Sequence, residues 1–284
     1  MIGRILSCKY GVYEIACQEN CLTSKARGVF RHKKLRPFVG DMVELDEEQR
    51  IQKIFPRKNQ LIRPSISNLD LLVIVVSLKQ PEYSSLLTDK FLSYANYFHV
   101  PSMVILTKTD LESKEEVEKI TEELTKKGVQ VCSFSKQNQE GIEEIKSCFQ
   151  GKTIALMGQT GVGKSTLLNA LVPEWNREIG EYSEALGRGK HRTKEVVLFP
   201  YMGGYLADTP GFSSLELPFY KEDLANFFPG FSSYFPCRYA DCLHHENTPG
   251  CEVMSAVKQG KISQESYQNY QKILLELLYR KDRY

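Results

Sequence analysis

One stretch of this chain decides its fold, and it reads Gly158-Gln159-Thr160-Gly161-Val162-Gly163-Lys164-Ser165. The stretch matches the phosphate-binding loop pattern G-x-x-x-x-G-K-[ST] at every fixed position. Its glycines let successive backbone N–H groups turn toward phosphate oxygens, which side chains would obstruct. We predict that Lys164 reaches the β- and γ-phosphates of a bound nucleotide and that the Ser165 hydroxyl ligates Mg²⁺.

The sequence on either side of this loop favours the same interpretation. Residues 152–157 predict a strand before the loop, and residues 166–171 begin a helix after it, so Thr166 joins the predicted nucleotide site. A helix N-terminus that faces phosphates favours anion binding. A plain glycine-rich turn is the alternative, and the strand and helix on its two sides count against it.

A second motif, Thr107-Lys108-Thr109-Asp110, matches [NT]-K-x-D, the guanine-recognising element of a GTPase. It follows the apolar residues 104–106, so we expect it at the carboxyl end of a strand, where α/β folds bind ligands. Asp110 can accept hydrogen bonds from guanine N1 and the 2-amino group, a donor pair that adenine lacks, while the Lys108 stem packs along the base. Ordinary GTPases carry this element after the phosphate loop. The reversed order predicts a circularly permuted α/β P-loop GTPase domain.

A third motif, Asp208-Thr209-Pro210-Gly211, matches the D-x-x-G switch and follows a short predicted strand at 205–207. We expect Asp208 to hold Mg²⁺ through water and the Gly211 N–H to sense the γ-phosphate. The basic segment 187–194 lies between the phosphate loop and this switch, and Thr193 is its only threonine. We predict that Thr193 ligates Mg²⁺ together with Ser165. A basic surface loop is the other interpretation of the segment, and the two are compatible.

Hydrolysis of GTP requires a group that positions the attacking water. Ras-like GTPases place a glutamine directly after the D-x-x-G motif, but this chain has Phe212 there. His191 is the nearest candidate by sequence, and we predict it as a catalytic residue beside Lys164. The alternatives are a different water-orienting group or slow turnover, with His191 simply solvated.

Cysteine and histidine concentrate near the C-terminus, where three of the eight cysteines and two of the five histidines fall within fifteen residues. Three thiolates and one imidazole complete a tetrahedral Zn²⁺ site without an open position, so we predict one structural zinc ion. Its predicted ligands are Cys237, Cys242, His244 and Cys251, with His245 as the alternative fourth ligand. A disulfide cluster is the competing interpretation, but the other cysteines are scattered singly, which is typical of a reducing cytosol.

Together these features resemble the ribosome small-subunit-dependent GTPase family, circularly permuted GTPases that act late in assembly of the bacterial small ribosomal subunit. The resemblance rests on the permuted motifs, the G-R-G-K-H-x-T segment at 187–193 and the C-x4-C-x-H cluster, and it covers essentially the whole chain. It implies ribosome-stimulated hydrolysis of GTP to GDP and phosphate, with Mg²⁺ bound beside the GTP. It also implies binding to the small ribosomal subunit and its rRNA, and it makes His191 the catalytic histidine by motif position.

This chain departs from the family pattern at two places. The family switch reads H-T-T where this chain has His191-Arg192-Thr193, which leaves Thr193 as the matching Mg²⁺ ligand. The family places five residues between the zinc-binding histidine and the last cysteine, whereas His244 has six and His245 has five. The choice between these two histidines therefore stays open.

With 284 residues, the chain is long enough for two or three domains with substantial cores, and we predict a multi-domain protein. Residues 1–67 carry a net charge of +6, although the whole chain carries only +2, and short alternating segments there favour an RNA-binding OB-fold β-barrel. A small β-domain with a solvated charged rim is the alternative. Residues 68–218 alternate strands with helical stretches, which predicts the α/β GTPase domain. Residues 219–284 predict a mostly helical zinc-binding domain.

The apolar segments and the N-terminus of the chain bear on its location in the cell. The longest apolar run, at 71–76, has six residues and is too short to span a membrane. The N-terminus does not resemble a secretory signal, so we expect a cytoplasmic protein. We also expect a monomer. An RNA-binding assembly factor that uses GTP only as a conformational ligand, with little hydrolysis, is the alternative function. An ATP-dependent enzyme is a third, and Asp110 argues against it.

Overall fold

The computed structural model describes residues 1–18, 20–27, 30, 35–137, 139–173, 196–209 and 215–280, and for Asp208 the backbone alone. The strands in these residues are β1 (Ile2–Lys9), β2 (Val12–Cys17), β3 (Asn20–Lys25), β4 (Met42–Leu45), β5 (Ile51–Ile54), β6 (Gln60–Leu61), β7 (Ile66–Ser67), β8 (Leu71–Ser77), β9 (Ser102–Thr107), β10 (Gln130–Phe134), β11 (Thr153–Met157), β12 (Val197–Tyr201) and β13 (Gly204–Asp208). The helices are α1 (Ser85–Tyr97), α2 (Lys114–Lys126), α3 (Ile142–Phe149), α4 (Lys164–Leu171), α5 (Leu224–Phe227), α6 (Glu252–Lys258) and α7 (Gln264–Leu278).

The N-terminal strands form a five-stranded antiparallel sheet in the order β3-β2-β1-β4-β5. Apolar side chains on one face of successive strands are fully buried, as expected for period-two alternation around a core, and they include Ile5, Ile15, Val43 and Ile51. A backbone bridge between Ala26 and Ile51 joins the two ends of the sheet. Because this bridge closes the sheet on itself, the predicted OB-like barrel is confirmed.

A six-stranded sheet in the order β10-β9-β8-β11-β13-β12 forms the centre of the α/β fold. The β9–β10 and β11–β13 pairs are parallel, whereas β12 pairs with β13 in the antiparallel direction. All seven residues of β8 and all five of β11 are buried. Continuous apolar strands of this kind are typical of sheets covered on both faces. The strand before the guanine motif precedes the strand before the phosphate loop in the chain, so the predicted permuted order is confirmed.

The chain divides into two compact units. The first comprises 1–73, 141–157 and 164–211, and it contains the barrel and β11–β13. The second comprises 74–140, 158–163 and 212–284, and it contains β9, β10 and the C-terminal helices. The division into domains at 1–67, 68–218 and 219–284 stays a prediction.

The regular secondary structure in residues 215–280 of the second unit is helical, as predicted. Its longest helix, α7, starts at the N-cap Ser263, whose hydroxyl accepts a hydrogen bond from the Ser266 N–H at 3.1 Å. The buried residues of α7 follow helical spacing and include Tyr267, Tyr270, Ile273 and Leu274. Within the described part of the chain, every helix is too short or too polar to cross a membrane.

Candidate nucleotide site and metal cluster

The phosphate loop has the backbone conformation that its glycines allow. Gly161 and Gly163 have φ angles of +85° and +96°, which L side chains rarely adopt. Gly158 approaches the Val75 carbonyl oxygen so closely that a Cβ atom at this position would collide with it. The loop therefore needs glycine for two different reasons, a left-handed backbone at two positions and a close backbone approach at the third.

The guanine motif is hydrogen-bonded to the phosphate loop. The buried Thr107 hydroxyl donates to the Val162 carbonyl oxygen at 2.5 Å. Lys108 Nζ donates to the Gly161 carbonyl oxygen at 3.0 Å and also to the carbonyl oxygen of Gln80. These bonds fix the two motifs against each other inside the second unit, as their predicted roles at one nucleotide require.

Asp110 lies in a 3-10 turn, Thr109–Leu111, immediately after the guanine strand β9. Its carboxylate is exposed, and Oδ1 accepts a hydrogen bond from the hydroxyl of buried Ser135 at 2.9 Å. The same hydroxyl oxygen accepts from the Gln137 N–H at 3.2 Å. Ser135 therefore orients the carboxylate that is predicted to read guanine. The sequence signal for it was only a partial match to the base-contacting S-A-K pattern of GTPases.

The remaining predicted nucleotide residues lie on two elements of the first unit. Lys164, Ser165 and Thr166 form the first turn of α4. Asp208 ends β13, and the hydroxyl of the next residue, Thr209, donates to the Leu156 carbonyl oxygen. Some predicted site residues lie outside the described part of the chain, and these are His191, Thr193 and Gly211.

Within the second unit, one imidazole and three thiols meet near the C-terminus. The ligand atoms of Cys237, Cys242, His244 and Cys251 all lie within 4.8 Å of one another. His244 Nδ1 is 3.6 Å from Cys237 Sγ and 3.4 Å from Cys251 Sγ. Ligand atoms around a tetrahedral zinc ion are separated by about 3.6 Å, given the usual Zn–S and Zn–N bond lengths. The four side chains could therefore hold one such ion, whereas His245 is exposed outside the group.

Aromatic residues and helix N–H groups hold this cluster in place. The Phe235 ring stacks on the His244 imidazole with centroids 5.6 Å apart. From α7, the Tyr267 hydroxyl donates to the His244 carbonyl oxygen at 2.8 Å, and the Tyr270 hydroxyl donates to the Leu243 carbonyl oxygen at 3.2 Å. Backbone N–H groups of Glu252 and Met254, in the first turn of α6, donate to the sulfur atoms of Cys237 and Cys251. The spacing of the two tyrosines is also that of ordinary core residues, so the sequence alone does not indicate their contact with this cluster.

Burial shifts the pKa values of His244 and Cys251, two members of the cluster. It lowers the pKa of His244 to about 4, with the neighbouring charge of His245 acting in the same direction. It raises the pKa of the Cys251 thiol to about 12. At neutral pH the His244 imidazole is therefore neutral and able to bind a metal ion. The Cys251 thiol must release its proton when it binds the ion.

Comparison with known proteins shows the family of this chain. The model of the RsgA GTPase family matches residues 54–218, and that of the RsgA N-terminal domain matches residues 2–52. The small ribosomal subunit biogenesis GTPase RsgA of Caldanaerobacter subterraneus subsp. tengcongensis is 38% identical over 281 residues, which cover 97% of this chain and 95% of that protein.

Two solved structures share the fold over the full length of the chain. YjeQ from Thermotoga maritima superposes with a TM-score of 0.83 at 32% identity, covering 99% of both chains. YloQ, described as a circularly permuted GTPase, superposes with a TM-score of 0.80 at 34% identity, covering 100% of this chain and 96% of that one. The family resemblance stated from the motifs is confirmed. The chain belongs to the RsgA GTPase family and is a GTP hydrolase.

Proposed function

We propose that this GTPase binds the small ribosomal subunit and acts in its late assembly, hydrolysing GTP to GDP and phosphate with stimulation by the ribosome. The relative from Caldanaerobacter carries the name small ribosomal subunit biogenesis GTPase, and the similarity to it extends over nearly the whole chain. The observation that carries the GTPase part is the pair of bonds from Thr107 and Lys108 to the carbonyl oxygens of Val162 and Gly161. These bonds join a guanine-reading motif to a phosphate loop.

The nucleotide roles follow from the positions of the motifs. The backbone N–H groups of the glycine loop and Lys164 hold the phosphates, while Asp110 and Lys108 select guanine over adenine. Thr107, Thr109 and the non-glycine residues of the loop complete the contact surface for GTP. Asp110 is well suited to its role because Ser135 fixes its carboxylate.

We assign Mg²⁺ and the water-positioning role by motif position. Ser165 and Thr193 would ligate Mg²⁺, with Asp208 as its outer partner, and the ion would supply positive charge that neutralises the phosphates. The Gly211 N–H senses the γ-phosphate, and His191 orients the attacking water in place of the missing glutamine. Lys164 contributes to catalysis by stabilising the charge on the phosphates.

The C-terminal cluster fits a single structural Zn²⁺ ion. Three sulfur atoms and the Nδ1 atom of His244 supply four protein ligands, so no coordination position is left for a substrate. The neutral His244 imidazole supports the same assignment. We therefore place His244, and not the exposed His245, as the fourth ligand.

The N-terminal barrel is the proposed contact to rRNA. Residues 1–67 carry a net charge of +6 on an OB-like sheet, and basic OB-folds bind single-stranded and folded RNA. We also propose three domains, at 1–67, 68–218 and 219–284. We further propose that the protein is a monomer in the cytoplasm and does not bind a membrane.

The decisive experiment measures GTP hydrolysis by the purified protein alone, with small ribosomal subunits, and with large subunits as the control. We expect the small subunit to raise the turnover rate by more than tenfold and the large subunit to leave it unchanged. Lys164→Ala should abolish the stimulated activity, and His191→Ala should lower it while nucleotide still binds. A slow rate that small subunits do not change would contradict the ribosome-stimulated function. It would favour an assembly factor that uses GTP as a conformational ligand.

A further inference from the structure

A buried ion pair lies at the junction of three helices, outside all of the sequence motifs. Asp89 of α1 is fully buried, and its Oδ1 atom lies 2.7 Å from the ammonium group of Lys127, the C-cap of α2. Its Oδ2 atom accepts a hydrogen bond from Asn269 Nδ2 of α7 at 2.9 Å. No water can replace either partner at a site without solvent access, so each helix depends on the other two.

The α7 helix makes further polar contacts with the other two helices. Asn269 Nδ2 also donates to the Ser85 hydroxyl at 3.1 Å, at the first residue of α1. The N-cap hydroxyl of α7, on Ser263, donates to Glu123 of α2 at 3.1 Å. The C-terminal helix therefore holds both α1 and α2, and α2 is the helix that follows the guanine motif in the chain.

The N-terminal half of α1 backs the phosphate loop. Ser84, Leu87 and Thr88 line a cavity of about 20 Å³ whose opposite wall is Gln159 and Val162 of the loop. This volume is close to that of a single water molecule. Because the gap is so small, a shift of α1 would change the packing of the phosphate loop directly. Pro81, just before the helix, lies 3.7 Å from the position of a Cβ atom on Gly161.

We propose that Asn269 and Asp89 are positioning residues of the nucleotide site, through which the C-terminal helix α7 holds α1 against the phosphate loop. Asn269 lies beyond residues 54–218, the part of the chain that matches the GTPase family model. The inference rests on the proposed function, because it concerns the nucleotide that the phosphate loop binds. Loss of the Asn269 amide leaves a buried carboxylate oxygen without its donor. The α1 helix then relaxes, and the loop releases its nucleotide faster.

The test is the rate at which the full-length protein releases a fluorescent GDP analogue when excess GDP is added. Asn269→Leu keeps a side chain of four heavy atoms branched at Cγ and removes the amide. We expect release to become at least about fivefold faster, the lower end of usual coupling between sites. Glu276→Gln is the matched control, because it breaks the ion pair between Glu276 and Lys90 (2.6 Å) on the same two helices at the protein surface. Its release rate should stay within about twofold of the wild type.

A rescue variant separates positioning from general stability. Asp89→Asn combined with Asn269→Asp keeps one amide, one carboxylate and Lys127 in the cluster, and we expect the GDP release rate to return toward the wild-type value. If Asn269→Leu lowers the thermal unfolding midpoint but leaves GDP release unchanged, the role is only structural and the inference is wrong. If that variant does not fold, the milder Ser85→Ala decides. We expect it to release GDP faster than the Glu276→Gln control does, and a rate equal to that of the control would overturn the inference. A wild-type protein that binds no guanine nucleotide would contradict the proposed function as well.

Discussion

Asp41 and Arg57 form a bidentate ion pair, with Nε 2.7 Å from Oδ1 and Nη2 2.8 Å from Oδ2. The Asp41 carboxylate is fully buried, and it also accepts hydrogen bonds from the Phe38 N–H at 2.7 Å and the Ser67 hydroxyl at 2.6 Å. Asp41 immediately precedes β4 of the barrel, whereas Arg57 and Ser67 belong to the segment that leaves it. One carboxylate therefore fastens the exit segment to the barrel.

We predict that Arg57→Leu lowers the free energy of unfolding by about 3 kcal/mol, because it leaves a buried charge without its partner. Lys146→Gln is the control, since its partner Glu143 is 80% exposed and such pairs contribute about 0.5 kcal/mol or less. Urea denaturation measures both. Equal losses in the two variants would contradict the importance of the buried pair.

We predict that Asp110→Asn exchanges guanine specificity for xanthine specificity. The carboxylate accepts hydrogen bonds from guanine, whereas an amide can donate to the 2-oxo group that xanthine carries in place of the amino group. Affinity for GDP should fall by about 100-fold or more, while affinity for xanthosine diphosphate rises. Titration with fluorescent analogues of both nucleotides measures the change. Unchanged GDP binding would remove Asp110 from the base site.

The metal assignment predicts different results for two adjacent histidines. Protein purified as His245→Ala should keep one equivalent of zinc, whereas His244→Ala should lose most of it, because only His244 lies among the three sulfur atoms. Elemental analysis measures the metal content. Removal of zinc by a chelator should also lower the unfolding midpoint of the wild type, because a structural ion stabilises the folded state. The reverse result for the two variants would make His245 the ligand.

Stability below neutral pH should depend on Asp70. Partial burial alone would raise its pKa, but hydrogen bonds from Lys58 Nζ and the Thr153 N–H outweigh burial, and the pKa is lowered. A lowered folded-state pKa stabilises the protein above about pH 4, the usual value for aspartate, and this contribution disappears as the pH falls through the lowered value.

Asp70→Asn should therefore be less stable than the wild type at pH 7, and the difference should narrow at pH 3. Chemical denaturation at the two pH values measures it, with Glu118→Gln, a change at an exposed carboxylate, as the control. A stability difference that is the same at both pH values would show that the charge of Asp70 contributes nothing.

Local sequence was sufficient to predict the fold class, the permuted order and the membership of the metal cluster. The phosphate loop and the guanine motif carry their chemistry in short continuous segments, because phosphate binding needs a backbone conformation that adjacent glycines provide. The three cysteines of the metal cluster and His244 likewise lie within fifteen residues of sequence. Spacing alone did not separate His244 from His245, whereas the structure brings only His244 among the three sulfur atoms.

Other features depended on contacts between distant segments, and only the tertiary structure decided them. The α1 helix carries Thr88, Asp89 and Ser93 on its buried face, and these polar residues weaken the apolar pattern by which a sequence indicates a helix. Asp89 pairs with Asn269, which lies 180 residues later in the chain, and Asp41 before β4 pairs with Arg57 after β5. A buried charge is stable only when its partners are in place, and those partners are chosen by packing. The sequence alone predicted which motifs bind the nucleotide, whereas only the tertiary structure decided which distant residues become partners.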